Sequence, residues 1–358
     1  MSRPVPNRIV SKLSDTIPFI APEELERQLG FTFLARLGAN ESVFGASPKA
    51  IESMAKVAQQ PQWYGDPLSY DLRAQLSIKH DLTPDSFVVG PGIDGLFAHI
   101  ASAFLEPGQA VVTTLGSYPT FNYFIDAIGG ELVQVPYKDL AVDLEGLADA
   151  AHQHQAAAVY LANPDNPSGH FHARTAILDF IAELPESILI ILDEAYVDFV
   201  EEFAISDPRL IRLRTFSKAY GMAGARIAYA MGDPETLQPL NRIRPHFEVN
   251  LLAQAGALAS LQDYEFVTSI RQRTKEGRQD LSGILNSFGF ATPSSSTNFI
   301  LGDAGSKSRA EEIVLKLREK RVFIRKPGLA PLDHFIRISV GTDADHQVLT
   351  KALSEIVE

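Results

Sequence analysis

Short, continuously apolar runs alternate with helical patterns from about residue 86, and this alternation limits the possible folds more than any other feature of the sequence. The runs SFVVG, AVVTTL and ILIILDEAYV show no polar–apolar alternation, which is typical of strands buried on both faces. Helical segments such as IDGLFAHIASAFL and RTAILDFIAEL separate several of these runs. Repeated strand–helix units of this kind predict an α/β fold with a mainly parallel sheet between helices.

The pattern changes after about residue 250, which predicts a second domain. A long helical stretch with a kink or break follows, and then the strands STNFILGD and FIRISVG alternate with helices. We therefore expect a large domain over residues 46–250 and a smaller α+β domain over residues 251–358, as suits a chain of 358 residues. The first 45 residues are weakly periodic, and we expect this N-terminal segment to pack on the small domain or to reach a partner subunit.

Composition excludes several classes of protein. The chain has no cysteine, which rules out disulfides, thiolate nucleophiles and cysteine-based metal sites. A net charge of -12 argues against nucleic acid or an anionic membrane as the main partner. No apolar run approaches the roughly 20 residues that span a bilayer, and the N-terminal sequence lacks the apolar core of a signal peptide. We expect a cytoplasmic protein.

The motif GPGIDG, from Gly90 to Gly95, lies between a predicted strand and a predicted helix. It matches the dinucleotide pattern GxGxxG, in which glycines let the backbone approach a phosphate at a helix N-terminus. The acidic residue expected about 20 positions later is missing, since the next strand ends at LGS. The motif favours a phosphate site, while an NAD-dependent dehydrogenase and a purely structural turn stay open as alternatives.

Two further loops place polar side chains where apolar strands end. LANPDNPSG offers Asn163 and Asn166 at the sheet edge where open α/β proteins bind ligands. ILIILDEAYVDF ends a very apolar strand in Asp193. A buried acid requires a cationic partner, although Asp193 could instead cap the following turn.

The stretch TFSKAYGMAGARIA places Lys218 and Arg226 among small residues just after another apolar run. Lys218 could be a solvated surface residue, as a single lysine often is, or, if it is buried and its pKa lowered, could form a Schiff base; an arginine suits a phosphate or a carboxylate. Arg337 lies inside the apolar strand FIRISVG, where a charge is expected to have a specific partner. Two HxH pairs, beginning at His152 and His170, have no evident third ligand, and we predict no metal site.

Taken in chain order, these motifs resemble those of the fold-type I pyridoxal-phosphate-dependent aminotransferases, and within them the histidinol-phosphate aminotransferase family. The resemblance covers nearly the whole chain. It rests on GANESVFGASPKA, WYGDP, NPDNPSG, LDEAYVDF, RTFSKAYGMAGARIAYA and IRISVGT. It implies a seven-stranded, mainly parallel sheet, pyridoxal 5′-phosphate as cofactor and a homodimer. WYGDP and NESVFG depart from the family's usual RYPDP and NENPLG near the substrate entrance.

The resemblance also implies a role for each matching residue around the cofactor ring. Lys218 would form the Schiff base and carry the proton of the 1,3-shift, and Asp193 would pair with the pyridinium nitrogen. Tyr196 and Asn166 would hydrogen-bond the phenolic oxygen. Tyr118 would stack on the ring.

Further roles concern the phosphate, the partner subunit and the substrate. The resemblance implies a phosphate site made by Gly92, Ile93, Asp94, Ser217 and Arg226. Tyr64 would reach the cofactor phosphate of the neighbouring subunit. Substrate binding would fall to Arg337, Arg325 and Asn40.

The reaction implied by the resemblance is ping-pong transamination, with histidinol phosphate as amino donor and 2-oxoglutarate as acceptor. An aromatic amino-acid aminotransferase on the same scaffold is the main alternative, because an arginine can bind a carboxylate as well as a phosphate. Threonine-phosphate decarboxylation is a further alternative.

Overall fold

A computed structural model describes residues 3–14 and 20–357. The α-helices found there are α1 (Pro22–Leu29), α2 (Pro48–Val57), α3 (Tyr70–His80), α4 (Ile93–Phe104), α5 (Pro119–Ile128), α6 (Leu144–Gln153), α7 (Arg174–Glu183), α8 (Pro234–Ile243), α9 (Leu251–Leu261), α10 (Tyr264–Ser287), α11 (Lys307–Glu319) and α12 (Asp343–Ile356). The strands are β1 (Ala35–Arg36), β2 (Phe87–Gly90), β3 (Ala110–Thr114), β4 (Glu131–Val135), β5 (Ala158–Ala162), β6 (Leu189–Asp193), β7 (Leu210–Thr215), β8 (Ala228–Gly232), β9 (Phe299–Asp303), β10 (Val322–Phe323) and β11 (Phe335–Ser339).

The large sheet has seven strands in the order β2-β8-β7-β6-β5-β3-β4. Neighbouring strands from β7 to β4 are parallel, and β8 runs antiparallel to both β7 and β2. The apolar side chains of α4, α5 and α8 cover one face, whereas those of α6 and α7 and those of α2, α3 and α9 cover the other. The predicted α/β fold with a mainly parallel sheet between helices is confirmed.

A smaller unit is built from both ends of the described chain. Strands β9 and β11 pair antiparallel, and β1 pairs in parallel with β10. Side chains of β1, α10, α11 and α12 share one apolar cluster, so β1 of the N-terminal segment packs on the small unit. The predicted break in the long helical stretch falls between α9 and α10, at Gln262 and Asp263.

The division into segments 1–45, 46–250 and 251–358 stays a prediction. Residues 1–2, 15–19 and 358 of these segments lie outside the described residues. Alanines of helix α9 pack with α2 in an apolar cluster of the large unit. Helix α9 therefore belongs by its packing to the large unit, although it follows the change of sequence pattern at residue 250. None of the helices in the described ranges combines the length and the apolar composition that a membrane-spanning segment needs.

The topology places the predicted functional loops side by side. Strands β2, β3, β5, β6 and β7 point the same way, so their carboxyl ends share one edge of the sheet. The motifs GPGIDG, GSYP, NPDNPSG, DEAY and SK follow these five strands in turn. Because ligands of open α/β sheets bind at this edge, the fold alone concentrates the candidate chemistry there.

Candidate active site

A cavity of about 680 Å³ lies at this edge, where the small unit meets the large sheet. Most of the predicted site residues line it, and these are Asn40, Ile93, Asp94, Tyr118, Asn166, Asp193, Tyr196, Ser217, Lys218, Arg226, Arg325 and Arg337. Gly92 is the N-cap residue of α4, directly before Ile93. Tyr64 does not line the cavity. The structure thus brings together residues that are up to 297 positions apart in the chain, from Asn40 to Arg337.

Lys218 projects into this cavity from the loop after β7. Its Nζ donates a hydrogen bond to the carbonyl oxygen of Asn40 at 3.0 Å and lies 5.6 Å from the centre of the Tyr196 ring. Burial lowers the pKa of Lys218 to about 8, and the positive charge of Arg337 acts in the same direction. A neutral amine, the nucleophilic form, is therefore accessible near physiological pH.

Asp193 ends β6 and is 5% exposed. Its carboxylate accepts hydrogen bonds from the Tyr160 hydroxyl at 2.9 Å and from the Ala195 amide at 2.9 Å. Burial raises the pKa of Asp193 to about 6. In residues 3–14 and 20–357 no cationic side chain forms an ion pair with it, so the partner expected from the sequence is not a protein side chain. A buried carboxylate of this kind fits the protonated ring nitrogen of a bound pyridine.

The anion-binding end of the cavity combines a helix N-terminus with an arginine. Gly92 has φ 86°, a backbone conformation that favours glycine, and a Cβ there would lie 2.6 Å from Nη2 of Arg226, so an added side chain would displace the end of this arginine. Arg226 itself has a left-handed backbone conformation, with φ 56°. Its Nη2 lies 3.3 Å from Oδ2 of Asp94. Amide groups at the start of α4 together with this guanidinium suit a phosphate.

Arg337 supplies a second positive charge on the opposite, small-unit side. It donates to the Asn166 side-chain oxygen at 2.6 Å and to the Gly38 carbonyl at 3.0 Å. Burial lowers the pKa of Arg337 to about 10, and its Nε has no hydrogen-bond partner. Within the described ranges no carboxylate pairs with it. The specific partner expected from the sequence is thus an amide, which leaves the charge available for an anionic ligand.

Arg325 lies beside Arg337 because their backbones pair in both directions, at 3.2 and 2.7 Å. Its Nη2 donates to the carbonyl of Ile20 at 2.9 Å. Both arginines border the cavity, so an anionic substrate would meet two positive charges there.

Two tyrosines border the space between the lysine and the phosphate end. The Tyr196 hydroxyl accepts a hydrogen bond from the Asn40 amide at 3.0 Å, and burial raises the pKa of Tyr196 to about 12. The Tyr118 hydroxyl donates to Asp94 at 3.0 Å, and burial raises its pKa further. Both phenols stay protonated, so they can act as hydrogen-bond donors.

Sequence reasoning missed the residues that support the site from behind. Tyr160, which donates to Asp193, lies in the apolar strand β5, where a tyrosine is indistinguishable from a core residue. Glu194 points to the opposite face of the sheet and accepts hydrogen bonds from Arg212 and Arg214 at 2.8 to 3.0 Å. A signal for this cluster was present, since two alternating arginines within an apolar strand require partners on one face.

The histidines do not gather into a metal site. The rings of His170 and His172 are 4.5 Å apart between centroids, and His172 contacts the Val142 carbonyl at 3.0 Å. In the part of the chain that the structure describes, no group of three or more potential metal ligands occurs.

Tyr64 is 79% exposed and does not border the cavity of its own chain. Its ring stacks on Phe247, with centroids 4.5 Å apart and an interplanar angle of 24°. Trp63 beside it is also exposed. The predicted role of Tyr64 in a neighbouring subunit stays a prediction.

The fold and the cavity define a class of α/β enzymes in which a buried lysine, a buried carboxylate and an anion site meet at the carboxyl edge of a parallel sheet. Residues 34–356 match the model of the aminotransferase class I and II family. The chain belongs to this family, whose members are pyridoxal-phosphate-dependent aminotransferases.

Curated relatives and a solved structure narrow the comparison. Histidinol-phosphate aminotransferase 2 of Carboxydothermus hydrogenoformans is 30% identical over 98% of this chain and 99% of its own length. The histidinol-phosphate aminotransferase of Symbiobacterium thermophilum is 34% identical over 96% of each chain. The crystal structure of histidinol-phosphate aminotransferase from Sinorhizobium meliloti, in complex with pyridoxal 5′-phosphate, has a TM-score of 0.95 and 41% identity, with 98% of this chain and 97% of that chain covered.

These comparisons confirm the resemblance to fold-type I aminotransferases, the enzyme class and the cofactor class predicted from the motifs. They also decide against the NAD-dependent dehydrogenase that GPGIDG alone left open. The roles of individual residues stay predictions, for which the geometry above supplies the physical grounds.

Proposed function

We propose that the chain transfers the amino group of histidinol phosphate to 2-oxoglutarate with pyridoxal 5′-phosphate as cofactor. One observation carries the proposal: Lys218, with a pKa of about 8, shares a cavity with Asp193, a buried carboxylate without a cationic partner in the described chain. The two groups complement an aldehyde and a ring nitrogen, respectively.

The residues present fit the cofactor. Asp193 would hold the ring nitrogen, and Tyr196 and Asn166 would donate to the phenolic oxygen. Tyr118 would lie against the ring. Gly92, Ile93, Asp94, Ser217 and Arg226 would hold the phosphate, mainly through backbone amides and the guanidinium. When bound, the cofactor supplies an electrophilic aldehyde and a ring that withdraws electrons from the substrate's Cα.

Lys218 serves as the proton carrier of the reaction. Its Nζ must be neutral to accept the proton from the substrate's Cα, and burial together with Arg337 favours that form. The Asp193 carboxylate is ionised above its pKa of about 6, and a positive ring nitrogen would stabilise that charge. Asn166 holds Arg337 by its side-chain oxygen, which leaves the amide hydrogens of Asn166 to face other partners.

Arg337 and Arg325 support an anionic substrate. Both border the cavity on the small-unit side, and Lys326 lies next to them. A phosphate carries about two negative charges near neutral pH and accepts from several donors at once, so this cluster suits a phosphorylated amine. The names of the relatives point to the same substrate.

The test compares kcat/KM for histidinol phosphate, histidinol and phenylalanine, each with 2-oxoglutarate as acceptor. We expect histidinol phosphate to be preferred over both, because histidinol lacks the phosphate and phenylalanine offers only a carboxylate. Lys218→Ala should abolish turnover with every donor. A preference for phenylalanine would assign the protein to the aromatic amino-acid aminotransferases, and near-normal turnover by Lys218→Ala would overturn the mechanism.

We further propose that the active unit is a cytoplasmic homodimer in which Tyr64 contacts the cofactor phosphate of the neighbouring subunit. The exposed pair Tyr64 and Phe247 supports this arrangement. Mixing the inactive Lys218→Ala chain with a Tyr64→Ala chain should restore about a quarter of the wild-type sites, as random pairing of subunits allows. Mixtures that stay at the sum of the two separate activities would show that Tyr64 acts within its own chain or not at all.

A further inference from the structure

Asn40 occupies an unusual place beside the catalytic lysine. It lies in the loop between β1 and α2, is 2% exposed and has φ 54°. Only glycine, asparagine and aspartate adopt this left-handed conformation readily. The conformation directs the Asn40 carbonyl to Lys218, which donates to it at 3.0 Å, and the Asn298 amide donates to the same oxygen at 3.1 Å.

The side chain of Asn40 is engaged on the opposite side. Its Nδ2 donates to the Tyr196 hydroxyl oxygen at 3.0 Å, and its Oδ1 accepts from the Ser339 hydroxyl at 2.9 Å. The Asn40 backbone amide also donates to Ser339, at 3.0 Å. Both polar ends of the side chain thus bind protein, and little of Asn40 is left to touch a substrate.

The contact with Tyr196 has a directional consequence. A phenol has one proton to donate. Because the Tyr196 oxygen accepts the Asn40 amide, its own proton has to point elsewhere, and the ring borders the cavity. Asn40 therefore orients the hydroxyl as a donor towards the ligand space.

We propose that Asn40 is a positioning residue, which holds Lys218 through its backbone carbonyl and orients the Tyr196 hydroxyl through its side-chain amide. This inference rests on the proposed function, since the orientation of both groups matters only for a bound pyridoxal phosphate. Ser339 and Asn298 fix Asn40 in turn, so the small unit sets the geometry of two groups that belong to loops of the large sheet.

The substitution Asn40→Gly separates the two roles. Glycine keeps the left-handed backbone, and with it the carbonyl that accepts from Lys218, but it removes the amide that donates to Tyr196. We expect the apoenzyme to bind pyridoxal 5′-phosphate about tenfold more weakly, the loss of roughly one well-placed hydrogen bond. In a Tyr196→Phe background the same substitution should change the dissociation constant less than about twofold, because the hydroxyl that Asn40 orients is gone.

A spectroscopic readout accompanies the binding titration. The pH midpoint at which the absorption band of bound cofactor changes should rise in Asn40→Gly and stay unchanged when Asn40→Gly is added to Tyr196→Phe. A hydrogen bond donated by the Tyr196 hydroxyl would stabilise negative charge on the phenolic oxygen of the cofactor. If the hydroxyl is misoriented, this stabilisation is lost and the pH midpoint rises. The charged groups that face Lys218 and Tyr196 are Arg337, Arg226, Glu41, Asp94, Asp193 and Asp165, and all of them are retained in these variants.

Gln155→Gly is the matched control, since Gln155 also has a left-handed backbone conformation, with φ 48°, and is exposed and does not line the cavity. It should bind cofactor like the wild type. If Asn40→Gly does not fold, Asn40→Ser replaces it, because serine is uncharged and has no amide to donate to Tyr196. An equal loss of affinity in both Tyr196 backgrounds, or no loss at all, would overturn the proposal. Failure of the wild-type chain itself to bind pyridoxal phosphate would overturn the proposed function as well.

Discussion

The substitution Asp193→Asn tests whether the buried Asp193 carboxylate lowers the free energy of unfolding of the cofactor-free protein. Asp193 has a pKa of about 6 in the folded chain compared with the ordinary 3.8. At 1.36 kcal/mol per pKa unit, this difference corresponds to about 3 kcal/mol of destabilisation of the ionised carboxylate in the cofactor-free protein. Asparagine has nearly the same shape, carries no charge and can still accept one of the two hydrogen bonds from Tyr160 and Ala195.

The effect should depend on pH in a defined direction. Between pH 4 and 6 the folded chain binds the Asp193 proton and the unfolded chain releases it, so stability falls as the pH rises through this range. Above pH 6 the whole penalty is present. Asp193→Asn should therefore raise the free energy of unfolding of the apoprotein by about 1–3 kcal/mol at pH 7.5, after the weakened hydrogen bonds are allowed for, and by much less at pH 4.5.

The assay is urea unfolding of the cofactor-free protein at the two pH values, with Asp139→Asn, which changes an exposed carboxylate, as control. Titration with pyridoxal 5′-phosphate should show the opposite ranking, because the variant lacks the charge that pairs with the ring nitrogen. Lower stability of Asp193→Asn at both pH values would refute the reasoning, since it would mean that the hydrogen bonds to the carboxylate outweigh the cost of its burial.

Three further predictions follow from contacts in the site. Glu194→Gln should lower the free energy of unfolding by about 3 kcal/mol, because it leaves the buried Arg212 without a carboxylate and the buried Arg214 with Glu202 alone; thermal unfolding measures this, and a change below 1 kcal/mol would contradict it. Gly92→Ala should weaken cofactor binding, since its Cβ would lie 2.6 Å from Nη2 of Arg226; an unchanged dissociation constant in a spectroscopic titration would show that the guanidinium can move aside. Labelling of the Lys218 amine in the apoprotein should have a midpoint near pH 8, and Arg337→Met should raise it by removing a nearby positive charge; a midpoint that stays put would mean that burial alone sets this pKa.

The sequence predicts the cavity well where its chemistry follows from strand order. Asp193 ends one apolar strand and Lys218 lies in the loop after another, and because strands β6 and β7 are parallel neighbours, both residues reach the same sheet edge. The phosphate end was predictable for a similar reason, because GPGIDG joins a strand to a helix and a helix N-terminus attracts anions.

The remaining contacts depend on long-range packing that leaves no local pattern. Ser339 meets Asn40 across 299 positions, and Asn298 meets it across 258. Ser339 lies in the motif IRISVGT and Asn298 in the stretch STNFILGD, but the sequence gives neither residue a role, and both resemble ordinary polar residues at the ends of a strand. The role of Tyr160 also has no local sequence signal, since only the pairing of β5 with β6 shows that its hydroxyl donates to Asp193.

The pairing of β1 with β10 bears on how the protein is made. Ala35 pairs with Val322, so β1, which is synthesised early, can pair only after β10 has been synthesised. The central sheet, from β2 to β8, uses only residues 87–232 and can assemble while synthesis continues. Asn40 follows β1, so Lys218 gains its acceptor only when the C-terminal strands arrive. Pulsed hydrogen exchange during refolding should accordingly protect β5 and β6 before β1, and catalytic competence should emerge as the final event in the maturation of the chain.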